Sequence, residues 1–166
     1  MNKKLKIALY VTGAAIAVKN LFFGESSTNF YPINDSGQLR LCDAHGCGHY
    51  GASRNGKLHK GIDFKVVENQ PMKAPFDCEI VRYGFPYENN TTYILVEIKG
   101  TGIYQNYGAK LMYIKRIHST GTKLAKGETI CRADNIAKLY DSRMTPHVHF
   151  EVFKDGKIID PTGFFS

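Results

Sequence analysis

The chain has 166 residues, 43% of them hydrophobic, and a formal net charge of +7. That length can bury one good core, so a single folded domain is expected, and the composition excludes disordered and low-complexity classes. The charge is diffuse and accompanies no nucleic-acid motif, so nucleic acid is not an expected partner.

The N-terminus differs in character from the rest. Met1-Asn2-Lys3-Lys4-Leu5-Lys6 is a basic stretch, followed by an apolar run over 7–18 with small residues at Ala14, Ala15 and Ala17. This pattern predicts a signal peptide within 1–20, with cleavage after Ala17, or a membrane anchor extended by Leu21-Phe22-Phe23. Cleavage would remove Lys3, Lys4 and Lys6 and no acid, lowering the net charge by three. The remaining positive balance suits an anionic partner such as a cell-wall polymer or a glycosaminoglycan. The expected location is therefore secreted, periplasmic or at the cell surface. Residues 21–37 are turn-rich and read as a linker arm, leaving 38–166 as the folded domain.

Four cysteines fit an exported chain with two disulfides. Cys42 and Cys47 bracket Asp-Ala-His-Gly and are expected to close a local loop. Cys78 and Cys131 each sit in a predicted strand stretch, 77–81 and 128–132, and a cross-strand bridge between them is the second expected pairing, with two other connectivities open. A zinc knuckle built from Cys42, Cys47, His45 and His49 is the competing reading, but its spacing departs from the usual patterns.

Short runs of aromatic and β-branched residues separated by glycine-containing turns predict a mainly β fold. Strands are expected over 61–66, 79–83, 93–99, 110–115, 128–132 and 147–153. Lys154-Asp155-Gly156-Lys157 predicts a hairpin turn leading to Ile158-Ile159, and 135–141 a short helical turn.

Two histidines in the last long strand carry the chemistry. Strand side chains alternate between faces, so His147 and His149 point the same way, roughly 6.5–7 Å apart. Upstream, His59-Lys60-Gly61-Ile62-Asp63 offers an imidazole and a carboxylate. The bland reading is an ion pair across one helical turn, which Gly61 and the β-branched run after it oppose. His59, Asp63 and His149 would make a three-ligand site with its fourth position open, as catalytic zinc is usually held; a structural zinc site would normally recruit a fourth protein ligand.

These motifs resemble the lysostaphin-type zinc metallopeptidases. Supporting segments stand in the family's order: Tyr50-Gly51-x-x-Arg54, Ala74-Pro75-x-Asp77, Lys126-Gly127-Glu128-x-Ile130 and Asp160-Pro161. The resemblance covers 42–161. It implies a compact antiparallel β-sheet core and one zinc ion in a groove walled by long loops. It further implies His59, Asp63 and His149 as ligands, His147 as a catalytic histidine, and endopeptidase action on bacterial cell-wall peptides. One departure matters. Where active members carry a second catalytic histidine in Tyr-x-His, this chain has Tyr113-Ile114-Lys115. An ammonium with an ordinary pKa of about 10.4 is a poor proton shuttle, although Lys115 or Tyr113 could steady an oxyanion. His118 lies at an odd offset and is expected to face away. The same lysine, and a segment similar to Cys42–Gly48, occur in the leukocyte cell-derived chemotaxin 2 branch, which keeps zinc as a binding protein. The leading expectation is an exported zinc protein that binds an extracellular or cell-wall ligand, either a peptide or a glycan or protein surface, with weak or absent catalysis. The rival is a working cell-wall endopeptidase.

Overall fold

The computed structural model describes residues 29–165. The signal or anchor segment predicted for 1–20 lies outside the described residues, and among those described no helix is long and apolar enough to cross a membrane. The strands are β1 (Ser53–Arg54), β2 (Lys57–Leu58), β3 (Ile62–Lys65), β4 (Pro71–Lys73), β5 (Cys78–Gly84), β6 (Leu95–Gly100), β7 (Tyr107–Met112), β8 (Ile114–Arg116), β9 (Lys123–Leu124), β10 (Thr129–Ala133), β11 (His147–Lys154) and β12 (Lys157–Ile159). Among the described residues one short α-helix, α1, spans Ile136–Leu139.

All pairings are antiparallel. The large sheet runs β12-β11-β7-β6-β5-β9, with β3 also paired to β11. A small sheet runs β4-β10-β8, and β1-β2 is a separate hairpin. The mainly β, antiparallel expectation is therefore met.

Alternation along β11 explains why this strand matters. Val148, Phe150 and Val152 enter the main core with Ile62 and Phe64 of β3 and Leu111 of β7. His147, His149 and Glu151 occupy the opposite face and line a groove. All six positions from His147 to Val152 are buried, because one face meets the core and the other lies under loops. Truncating Phe150, which is fully buried, to alanine would cost about 3–5 kcal/mol. The β11–β12 turn has Asp155 and Gly156 at φ of 50° and 75°, the left-handed pair that suits a two-residue hairpin.

Three expectations need correction. The predicted strand 110–115 is two strands, because Tyr113 takes a φ of 68° and redirects the chain from the large sheet into the small one. Its peptide is held there by Tyr113 N–H to the Ile94 carbonyl (2.9 Å) and by Asp134 N–H to the Tyr113 carbonyl (2.9 Å). The folded unit also begins upstream of Gln38. Phe30 and Ile33 belong to the main core, Phe30 stacks on Phe164 at 4.3 Å, and buried Asn34 donates to the Lys65 carbonyl. Apolar anchors spaced among turn residues disguised this arm as a linker. Finally, Cys42–Cys47 is bonded, but Cys78 and Cys131 are free buried thiols, not a bridge. Cys78 pairs within the large sheet and Cys131 within the small one, so the two do not sit on neighbouring strands.

Candidate metal centre

Asp63 comes from β3 and His149 from β11, and the two residues are direct partners in the sheet register. His59 precedes β3 and joins them across one turn of extended chain. Gly61 makes that approach feasible: a Cβ there would overlap the Phe150 carbonyl and lie 3.0 Å from His149 Cε1. The result is a triangle of atoms: His59 Nε2 to His149 Nδ1 at 2.9 Å, His59 Nε2 to Asp63 Oδ1 at 3.1 Å and His149 Nδ1 to Asp63 Oδ1 at 3.0 Å.

The surrounding hydrogen bonds fix what those atoms offer. His59 Nδ1 lies 2.8 Å from the His49 carbonyl, which accepts only, so this nitrogen carries the proton and Nε2 is bare. His149 Nε2 donates to Glu151 Oε1 at 3.2 Å, leaving Nδ1 bare in the neutral ring. Three lone pairs thus converge on one buried point, which is unfavourable unless a cation or a shared proton sits between them. Around a tetrahedral zinc with bonds of about 2.0–2.1 Å, ligand atoms stand about 3.3 Å apart, so the triangle fits such an ion after opening by a few tenths of an ångström. Two imidazoles and one carboxylate suit a transition metal better than calcium or magnesium, which take oxygen-rich shells.

Asp63 is only 2% exposed, and its second oxygen is also engaged. Oδ2 accepts from Arg40 Nη1 at 2.8 Å and faces Arg54 Nη2 at 3.4 Å. Burial pushes the Asp63 carboxyl up, but the adjoining His149, His59 and His147 rings outweigh it and hold the group well below the carboxylate range. The ligand is ionised wherever the protein is folded near neutral pH.

His147 stands beside the triangle with Nε2 3.8 Å from Asp63 Oδ2. Its Nδ1 donates to the Thr145 carbonyl at 2.8 Å, so Nε2 is free to take a proton. Burial lowers its pKa against the pull of Asp63, which keeps the ring neutral and basic in function. Tyr113 also lines the groove; burial pushes its phenol far up, and its hydroxyl meets that of Tyr87 at 2.7 Å.

Lys115 is not in this groove. Its ammonium binds Glu68 Oε1 at 2.6 Å, Asn69 Oδ1 at 3.0 Å and faces Asp134 at 3.6 Å. The role considered for it as an oxyanion partner is therefore corrected: the turn at Tyr113 sends β8 into the other sheet. His118 likewise points elsewhere, to the Thr129 carbonyl at 2.8 Å.

The zinc-knuckle reading fails because Cys42 and Cys47 are bonded to each other. Arg40, Asp43, Thr145 and Glu151 form the supporting layer, and sequence reasoning assigned them no role. Glu151 could have been found, since it lies two residues past His149 on the same strand face. The groove itself has a volume of about 990 Å³ and is walled by the disulfide loop, the β1–β2 hairpin, the loop carrying Tyr87 and the segment around α1.

Comparison with known proteins agrees with this fold. The model of peptidase family M23 matches residues 57–161. Leukocyte cell-derived chemotaxin-2 of Bos taurus is 36% identical over 128 residues, 76% of this chain and 79% of that one. The protein of the same name from Mus musculus is 31% identical over 137 residues, 82% of this chain and 85% of that one. Among solved structures, the catalytic domain of lysostaphin from Staphylococcus simulans superposes with a TM-score of 0.53 at 23% identity, covering 74% of this chain and 90% of that domain. A longer lysostaphin structure gives a TM-score of 0.59 at 21% identity, and there the match covers 83% of this chain but about half, 54%, of the other. The family model spans the segment that carries His59, Asp63, His147 and His149, and the chain belongs to peptidase family M23.

Proposed function

We propose that this is an exported zinc protein whose groove binds an extracellular or cell-wall ligand, with peptide hydrolysis weak or absent. The observation that carries this reading is the removal of Lys115 from the groove, which leaves His147 as the imidazole beside the ligand triangle, the other histidine of the groove wall, His45, facing Asp141 at 3.1 Å. His59, Asp63 and His149 would hold the ion. When bound, zinc would polarise a ligand carbonyl and acidify water. Export is supported by the basic-then-apolar N-terminal sequence and by the Cys42–Cys47 bond, which persists in oxidising compartments. Lys57 and Lys60 are exposed on the groove, whereas the acids lining it, Asp63 and Glu151, are buried and paired. That balance favours an anionic ligand. Two relatives at 36% and 31% identity carry the name chemotaxin, not peptidase.

One observation supports the second reading, a working endopeptidase. His147 Nε2 is bare and Tyr113 presents a protonated hydroxyl to the same groove. His147 would move the proton and Tyr113 would donate to a developing oxyanion. Purified protein, first assayed for zinc, is incubated with cell walls and with pentaglycine. Binding without new amines supports the first reading; chelator-sensitive amine release that vanishes in His147→Ala replaces it with the second.

A further inference from the structure

The Cys42–Cys47 bond does more than close a ring of six residues. Gln38–Arg40 runs beside β3, with Arg40 N–H bonded to the Asp63 carbonyl and Lys65 N–H to the Gln38 carbonyl, both at 2.8 Å. Arg40 is 3% exposed, and its guanidinium is shared between two carboxylates. Nη1 holds Asp63 Oδ2 at 2.8 Å, while Nε holds Asp43 Oδ2 at 2.9 Å and Nη2 holds Asp43 Oδ1. Asp43 lies inside the disulfide ring and is itself anchored by N–H groups of His45 (2.8 Å) and Thr145 (2.9 Å). Cys47 gives a second connection, its carbonyl accepting from Arg54 Nη2, which also faces Asp63. The return of the loop is tight: a Cβ on Gly48 would overlap the Arg40 carbonyl and lie 3.1 Å from Asp63 Cβ, and one on Gly46 would overlap Arg54 Nη1.

Occupying Oδ2 leaves Oδ1 as the oxygen of Asp63 that joins the triangle. From this chain of contacts we infer that Arg40 is the positioning residue of the metal centre and that the Cys42–Cys47 bond holds Arg40 in place, so that metal retention depends on the redox state of that bond. The inference rests on the proposed zinc binding. Reduction takes two electrons and two protons from a dithiol: one thiolate attacks a cysteine sulfur, the second thiol displaces the mixed disulfide, and the reductant leaves as its own cyclic disulfide. The protein gains two thiols, and Asp43 loses the ring that fixes it against Arg40. Supporting partners of ligands typically change metal affinity 10–100-fold.

The test avoids reductants, which bind zinc themselves. Zinc dissociation constants are measured by competition with a chelating dye for the wild type, Arg40→Met, the double variant Cys42→Ser/Cys47→Ser, and all three changes together. Circular dichroism and melting temperature of each metal-free protein identify variants that fail to fold, and Asp43→Asn, which keeps the disulfide, is measured in parallel. Expected are losses of tenfold or more in Arg40→Met, Asp43→Asn and the cysteine double variant, with the combined variant no weaker than Arg40→Met. Wild-type affinity in the folded double variant, or losses that multiply in the combined variant, would overturn the inference while leaving zinc binding intact. A wild-type protein that takes up no zinc would overturn the proposed function and this inference together.

Discussion

The ring of Tyr113 stands edge-on to the imidazole of His147, with centroids 5.4 Å apart and planes at 84°. The contact depends on the left-handed backbone at Tyr113, a costly conformation for a bulky residue, and the same turn carries Lys115 away. One residue of backbone geometry therefore decides which side chains share the groove. Any chelator-sensitive amine release by the wild-type protein is expected to fall about 10²–10⁴-fold in His147→Ala while zinc content stays at one ion per chain. Lys115→Ala should change neither quantity. A drop in turnover with Lys115→Ala would show that the ammonium reaches the reacting groups after all.

Gly61 separates the two ligands of its own segment and lies against the Phe150 carbonyl and the imidazole of the third. In Gly61→Ala the new Cβ meets the Phe150 carbonyl, a main-chain obstacle that no rotamer change relieves. Forced overpacking of this kind costs roughly 1–3 kcal/mol. The denaturation midpoint should fall without a change in slope, and zinc affinity should fall with it, because β3 must retreat from β11 where Asp63 faces His149. Unaltered stability would mean that the two strands can separate at no cost.

Much of this site was legible because period-two alternation is a strong local rule. Placing His147 and His149 on one face required only the strand, and His59 with Asp63 required only Gly61 and the branched run after it. What the sequence hid was non-local. The fate of Lys115 depends on a single φ value at Tyr113, and tyrosine carries no signal for a left-handed turn. The burial of Phe30 and Ile33 depends on a core formed mainly by strands far along the chain. Arg40 and Asp43 look like an ordinary surface ion pair until β3 is placed beside them.

Asp43 also makes acid sensitivity predictable. Burial raises its pKa, but the Arg40 guanidinium and the N–H groups of Thr145 and His45 more than offset this and hold the carboxyl well below its ordinary 3.8. A depressed carboxyl favours the folded state above the unfolded value, so this contribution is complete above pH 3.8 and fades as the pH falls below it. Melting temperatures of the metal-free protein should drop steeply below that point. Asp43→Asn should be less stable at pH 7 and show a shallower fall in acid. Parallel pH profiles for the two proteins would exclude Asp43 as a source of the dependence.

The unbridged cysteines give the last expectation. Cys131 is 0% exposed and Cys78 1% exposed, in separate sheets of one core. Burial pushes the Cys78 thiol up to about 12, with Asp77 and Glu128 adding to the effect, and burial alone pushes Cys131 up further. The thiolate is the nucleophile, so both groups should be inert toward a disulfide reagent at pH 8 in the folded protein. In denaturant two thiols per chain should react, and four after reduction. Zero in denaturant would restore the bridge between Cys78 and Cys131 and require β5 and β10 to approach where the fold keeps them in different sheets. Two thiols reacting at full speed in the native state would instead mean that the core opens readily around them, against the packing that places Ile80, Ile130 and Met72 out of reach of solvent.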